Sequence, residues 1–317
     1  MKLGAIYEFV IKKGLEKDPR TKNELKSALN RIKREYRVLK AEDKKHFDKE
    51  RIRHPYADTR ILYGDRGQTV RTIMVGIDIE APELLTAHLL NDKDAGIDLV
   101  MSHHPSGIAL VDLPQVMHVQ TDILHRMGIN LDVAKSLMKE RIDETSRNLL
   151  PRNHQRSVDV AKLLNIPFMC VHTPADNHVV HFLQKLFETK KPGRVSDALR
   201  ILKTIPEYRD AMFKAVGPRL IAGKESNKSG KVFVDMTGGT EGSKKVFARL
   251  SQAGIGTIVA MHLSEEHFKI AKSEFINIII AGHIASDNLG LNLLLDELTK
   301  KDAFNIIPCS GFVRVKR

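Results

Sequence analysis

Short apolar runs alternate with amphipathic stretches along most of the chain, and their order predicts repeated strand–helix units. Thr69 to Ile79 reads as a strand. Ala81-Pro82-Glu83 then opens a helix, with Pro near its first position and an acidic first turn. Gly96 ends that helix, and Ile97 to Met101 is a second apolar run of strand length. Strand, helix and strand at this spacing make a βαβ unit, which fixes a parallel pair. Leu113-Pro114 opens a further helix to Arg126, and a polar helical stretch covers about 132–164, interrupted at Pro151. Pro167 to Val171 is another strand. The final third repeats strand–turn–helix three times, on Val232–Met236, Thr257–Ala260 and Asn277–Ala281, with the last helix reaching about Lys300.

The front of the chain is patterned differently. Asp18-Pro19-Arg20-Thr21 separates two helices, and the second places Leu25, Leu29, Ile32, Tyr36 and Leu39 on one stripe of a Lys/Arg-rich helix. Charge divides the chain at the same place. Residues 1–71 hold 20 Lys/Arg against 11 Asp/Glu, and the remainder holds 31 against 28. This defines a basic helical extension over residues 1–57 and an α/β domain over 58–317. A helix docked on the body with a solvated basic back is the ordinary explanation of the extension; nucleic-acid contact is the sharper alternative. The stripe is too apolar for a free tail.

The 317 residues, 42% of them hydrophobic, suffice for a real core. No apolar run approaches the roughly 20 residues of a membrane span, and Glu8 interrupts the N-terminus where a signal peptide is apolar. Cys170 and Cys309 make no disulfide framework. The expectation is a cytoplasmic protein with free thiols and no membrane partner.

The candidate chemistry sits just past the predicted strands. Ser102-His103-His104-Pro105 follows one, His172-Thr173-Pro174-Ala175-Asp176 a second, and Gly282-His283-Ile284-Ala285-Ser286-Asp287 a third. Carboxyl ends of parallel strands border the crevice where α/β folds bind ligands. His283 and Asp287 are four apart at a helix start, hence one turn apart on one face. A His/Asp set without Cys suits Zn, Mn, Fe or Co rather than a Cys-type structural zinc. Gly238-Gly239-Thr240-Glu241-Gly242-Ser243-Lys244 follows a fourth strand and opens a helix. Such a turn can cradle an anion or simply allow close packing, and it lacks the Gly-Lys-Ser/Thr ending of a P-loop. Cys309, in Pro308-Cys309-Ser310-Gly311, is an alternative nucleophile, though a small buried residue in a late strand turn is the plainer reading.

In their order, these motifs resemble those of the Nif-three-like dinuclear metal-centre family, also described as GTP cyclohydrolase type 1 type 2 homologues. The resemblance covers roughly 58–317. It implies two interlocking α/β lobes with mostly parallel strands, and two divalent metals. It implies His103, His104, Asp176, His283 and Asp287 as metal ligands, and assembly into a homohexamer. Asp287 stands where the family usually has Glu, one methylene longer. Met261-His262 replaces the family's Gly-Glu, the basic residues 1–57 have no counterpart in its short form, and the stretch from Asp176 to His283 is too short for its inserted domain. The reading that follows is a metal-dependent hydrolase of a nucleotide or a heterocyclic or phosphorylated small molecule, with His262, Glu265 or Glu266 moving protons. The alternative is a non-catalytic metal-binding or scaffold protein acting through partners.

Overall fold

The computed structural model describes residues 1–317. Its two sheets belong to two lobes of an α/β architecture with mostly parallel strands. The first sheet orders as β1 (Arg60–Tyr63), β4 (Phe168–Cys170), β3 (Leu99–Ser102), β2 (Thr72–Gly76) and β9 (Asn305–Cys309). The second orders as β5 (Arg219–Ala222), β8 (Asn277–Ile280), β7 (Ile255–Ala260) and β6 (Lys231–Asp235). In each sheet only one edge pair, β1–β4 or β5–β8, is antiparallel. The βαβ unit is present: β2 and β3 pair in parallel, with Ile73 opposite Leu99 and Gly76 opposite Ser102. The β2 strand is narrower than the run 69–79, because Asp98 Oδ2 takes the Arg71 and Thr72 amides and ends the ladder.

The predicted 132–164 stretch divides into helices Leu131–Leu149 and Arg156–Leu163. The glycine-rich turn leads into a 3-10 turn and the short helix Phe247–Gln252. Two long helices join the lobes. Thr173–Lys190 follows β4 of the first sheet, and His283–Thr299 follows β8 of the second. Their contact is close: a Cβ at Gly290 would lie 2.5 Å from the Ala175 carbonyl oxygen. Glycine is therefore required where these two backbones meet.

Helix α1 (Leu3–Lys17) is part of the body. Leu3, Ile6, Tyr7 and Val10 are buried with Ile73, Val75, Met101 and Leu291 in one core. The basic surface belongs to helix α2 (Lys22–Val38), which starts with a reciprocal Thr21/Glu24 capping box and turns Leu25 and Ala28 inward. The β6 edge is closed by a side chain: Gln184 donates to the Val232 carbonyl and accepts from the Val234 amide. That removes two free ladder groups from an exposed edge. No helix is long and apolar enough to cross a membrane.

Candidate metal centre

Each ligand-bearing segment begins where a strand stops. β3 ends at Ser102, and its hydroxyl folds back to the His104 carbonyl oxygen at 2.9 Å, setting the turn that aims both imidazoles. Past β4, His172 leads into a helix that carries Asp176 in its first turn. Past β8, Gly282 adopts φ +109 and abuts the Val216 carbonyl oxygen, which only glycine accommodates. The next helix then starts at His283 and carries Asp287 one turn on. Asp176, in the first turn of its helix, is favoured by the helix dipole.

The five predicted ligands converge. His103 Nε2 lies 3.4 Å from both Asp176 Oδ1 and Asp287 Oδ1. The other oxygen of Asp287, Oδ2, lies 3.5 Å from His104 Nε2 and 3.7 Å from His283 Nε2. His103, Asp176 and Asp287 form one group with ligand atoms within 4.8 Å of one another, and His104, His283 and Asp287 form a second. Asp287 belongs to both, with one oxygen turned to each.

Several histidines have their remote nitrogen engaged. His103 Nδ1 meets the Val171 carbonyl oxygen at 3.0 Å, and His104 Nδ1 meets Asp78 at 2.7 Å. Such contacts fix the tautomer and aim Nε2 inward, as outer partners do for metal-binding imidazoles. A third is His172, whose Nδ1 lies 2.8 Å from Asp58 Oδ2 and whose ring lies tilted against that of His103 with centroids 4.8 Å apart. Asp58 is fully buried and also accepts from the Thr173 hydroxyl. Local sequence gave no signal for this support, since Asp58 lies 114 residues from His172.

The buried inward atoms have no hydrogen-bond partner: His103 Nε2, Asp176 Oδ1 and both Asp287 oxygens are orphaned. Buried polar groups in folded proteins are normally satisfied. This donor set of imidazole nitrogens and carboxylate oxygens fits divalent metal ions. Burial opposes charge on His103, but Asp287 and Asp176 outweigh it and raise its pKa to about 10.

The centre opens into a cavity of about 70 Å³ bordered by Glu241, His262 and His283. The ring of His262 lies tilted against that of His283 with centroids 4.9 Å apart, and its Nδ1 approaches Glu241 Oε1 at 3.4 Å. Glu241 also accepts from the Ser264 amide at 2.6 Å. Burial pushes its pKa up, but His262, His267 and that amide hold it at about 2. Asp235, on the same cavity wall, is raised to about 6 by burial, with Glu241 adding to the effect.

Two expectations change here. Glu265 and Glu266 are exposed at the start of their helix, and Glu266 pairs with Lys244, so neither reaches the cavity. The carboxylate beside His262 is Glu241, from the glycine-rich turn. That turn packs closely on its neighbours. A Cβ at Gly238 would strike Gln120 at 2.6 Å, and one at Gly239 would press on Leu113 at 3.1 Å, so its glycines serve close packing. No Lys or Arg lines the cavity. Burial also raises both thiols, Cys170 to about 12 and Cys309 to about 11, so neither is a ready nucleophile at neutral pH.

Fold and site together define an α/β protein with a buried His/Asp candidate metal centre between strand ends. Among solved structures, the chain is similar to a NIF3 superfamily protein from Sphaerobacter thermophilus. Identity is 28% with a TM-score of 0.69, over 80% of this chain and 91% of that one. It also matches HcgD from Methanocaldococcus jannaschii at 13% identity and TM-score 0.48, covering 78% of this chain and 87% of that one. A Bacillus cereus protein related to NIF3 matches at 12% and 0.43, over 81% and 92%. No protein-family model and no curated protein matches the chain. The protein is NIF3-like.

Proposed function

We propose that this protein is a dinuclear metal-dependent hydrolase of a small molecule. The observation that carries the reading is the set of orphaned atoms around Asp287, which divides its two oxygens between two ligand groups. His103, Asp176 and Asp287 Oδ1 would hold one metal; His104, His283 and Asp287 Oδ2 the other. Two such metals would supply Lewis acidity and an activated water. The placing of the shorter Asp287 supports this reading, because one of its oxygens lies 3.4 Å from His103 Nε2 and the other 3.5 Å from His104 Nε2.

The chain's own residues do the rest. Val171 and Asp78 keep the Nε2 atoms of His103 and His104 turned inward. His262, held against Glu241 at the cavity wall, is placed to hold or pass a proton at Nδ1. An open cavity on the His283 side supports a catalytic centre over a closed structural one. A nucleotide or heterocyclic substrate remains the proposed class, with its reacting atom at the centre and no phosphate on the glycine-rich turn. We further propose a closed homo-oligomer, a hexamer by family resemblance.

The test is elemental analysis of purified protein beside a panel of phosphoester and nucleotide substrates. About two divalent ions per chain, and hydrolysis of a panel member that chelation abolishes, are expected. The His103→Ala/His104→Ala variant should lose both metal and activity. Metal content unchanged in that variant would sink the assignment. Metal bound without turnover of any panel member would favour the scaffold reading.

A further inference from the structure

Helix α2 carries a row of cations that nothing on the protein neutralises. Lys22, Lys26, Lys33 and Arg37 are all exposed, and none has a carboxylate partner. At 100° per residue they fall within a sector of about 60° along the helix. At 1.5 Å per residue the row is about 22 Å long. Arg34 flanks it, exposed and equally unpaired. The helix's two acids point elsewhere: Glu24 closes the capping box, and Glu35 pairs with Arg31 at 4.0 Å.

Other surface cations, among them Lys139, Lys214, Lys245 and Arg53, hold carboxylates; what sets α2 apart is that its unpaired cations fall in one row on one rigid element. The sector next to the cations is the docked one, with Leu25 and Ala28 buried. The row is therefore fixed in place rather than carried on a loose arm. Nearby, burial first and then Arg31, Arg51 and Arg20 hold the half-buried His118 down to about 4.

We infer that α2 is a docking surface for the phosphate backbone of a nucleic acid. A row of about five cations on a rigid rod matches a regular polyanion and reads no sequence. An anionic membrane is the poorer match. A helix lying on lipid shows apolar residues beside its cations, whereas the only large apolar side chain exposed on α2 is Val38.

The test is fluorescence anisotropy with a labelled 20-nucleotide single-stranded RNA and a DNA duplex of equal length, titrated across NaCl concentrations. Binding should be measurable at about 50 mM salt, and log K for the single strand should fall against log salt with a slope near −3.5. The Lys26→Glu/Lys33→Glu/Arg37→Glu variant should bind at least about tenfold more weakly and lose about two units of slope. A control triple of exposed, unpaired lysines elsewhere, Lys203→Glu/Lys300→Glu/Lys301→Glu, changes net charge equally and should bind as the parent does. Circular dichroism melts confirm that both variants fold. No binding of either probe at low salt would overturn the inference, and so would equal losses in the two variants. Capture by vesicles of phosphatidylserine and phosphatidylcholine without nucleic-acid binding would reassign the row to a membrane. None of these outcomes bears on the metal centre.

Discussion

At the residue scale, Asp235 shows how the cavity stores cost. Folded, it keeps its proton to about pH 6; unfolded, it releases it near the ordinary 3.8. A raised carboxyl favours folding fully below the unfolded value, and that contribution is lost as pH rises through the folded one. Asp235→Asn should therefore gain stability relative to the parent between pH 4 and pH 7, by roughly 1–3 kcal/mol. Urea melts at the two pH values check this, and an equal difference at both would refute it. Asp58→Asn works in the opposite sense. It deprives His172 and Thr173 of a buried carboxylate, and should destabilise the fold by about 1–3 kcal/mol. These residues also mark the limit of sequence reading. The convergence of His103, His104, Asp176, His283 and Asp287 was legible because each follows an apolar run within a few positions. Asp58 was not, because its partner lies 114 residues away; Glu241 stood in a glycine-rich turn whose pattern draws attention to its glycines and not to its carboxylate.

At the element scale, the two helices that bring Asp176 and Asp287 together meet through Gly290 and Ala175. Adding one methyl there must push them apart, since a Cβ 2.5 Å from a backbone oxygen cannot be accommodated by a rotamer change. Gly290→Ala should cost roughly 1–3 kcal/mol. It should also weaken metal retention during dialysis, although it touches no ligand. Retention equal to the parent's would show that the carboxylates tolerate the displacement. The central parallel strands behind these helices were readable as apolar runs bounded by Gly and Pro. The antiparallel edge strands β1 and β5 were not. Their partly buried positions give neither a continuous apolar run nor a clean alternation. Edge pairing decides them, and no local pattern records it. The basic front segment was read as one extension, yet α1 is core while α2 is surface; net charge along a chain does not distinguish a helix with one solvated face from one inside the body.

At the scale of the whole molecule, oligomeric state is the open quantity. Closed symmetry is the usual solution for soluble assemblies, and a chain of net charge +12 should keep its basic helices apart, because like charges repel across an interface. Sedimentation at micromolar concentration and physiological salt should find a closed oligomer, with six copies expected. A species of monomer mass would overturn the proposal. The reading of α2 adds a condition: added RNA should increase the mass of the particle without dissociating it.

The pairing of β2 with β9 has a consequence for how the molecule comes into being. Thr72 lies opposite Asn305, roughly 230 residues later. A ribosome adding 5–20 residues per second takes about 12–46 s to cover that span. Throughout, one side of β2 lacks its neighbour, and α1 lacks Leu291, Leu294 and Leu295, which complete its core. His283 and Asp287 emerge in the same late window. A nascent chain interrupted before them holds His103, His104 and Asp176 without the carboxylate that unites both ligand groups. On the proposed assignment, completion of the chain is the condition for capturing metal, and a stalled product should reach quality control empty.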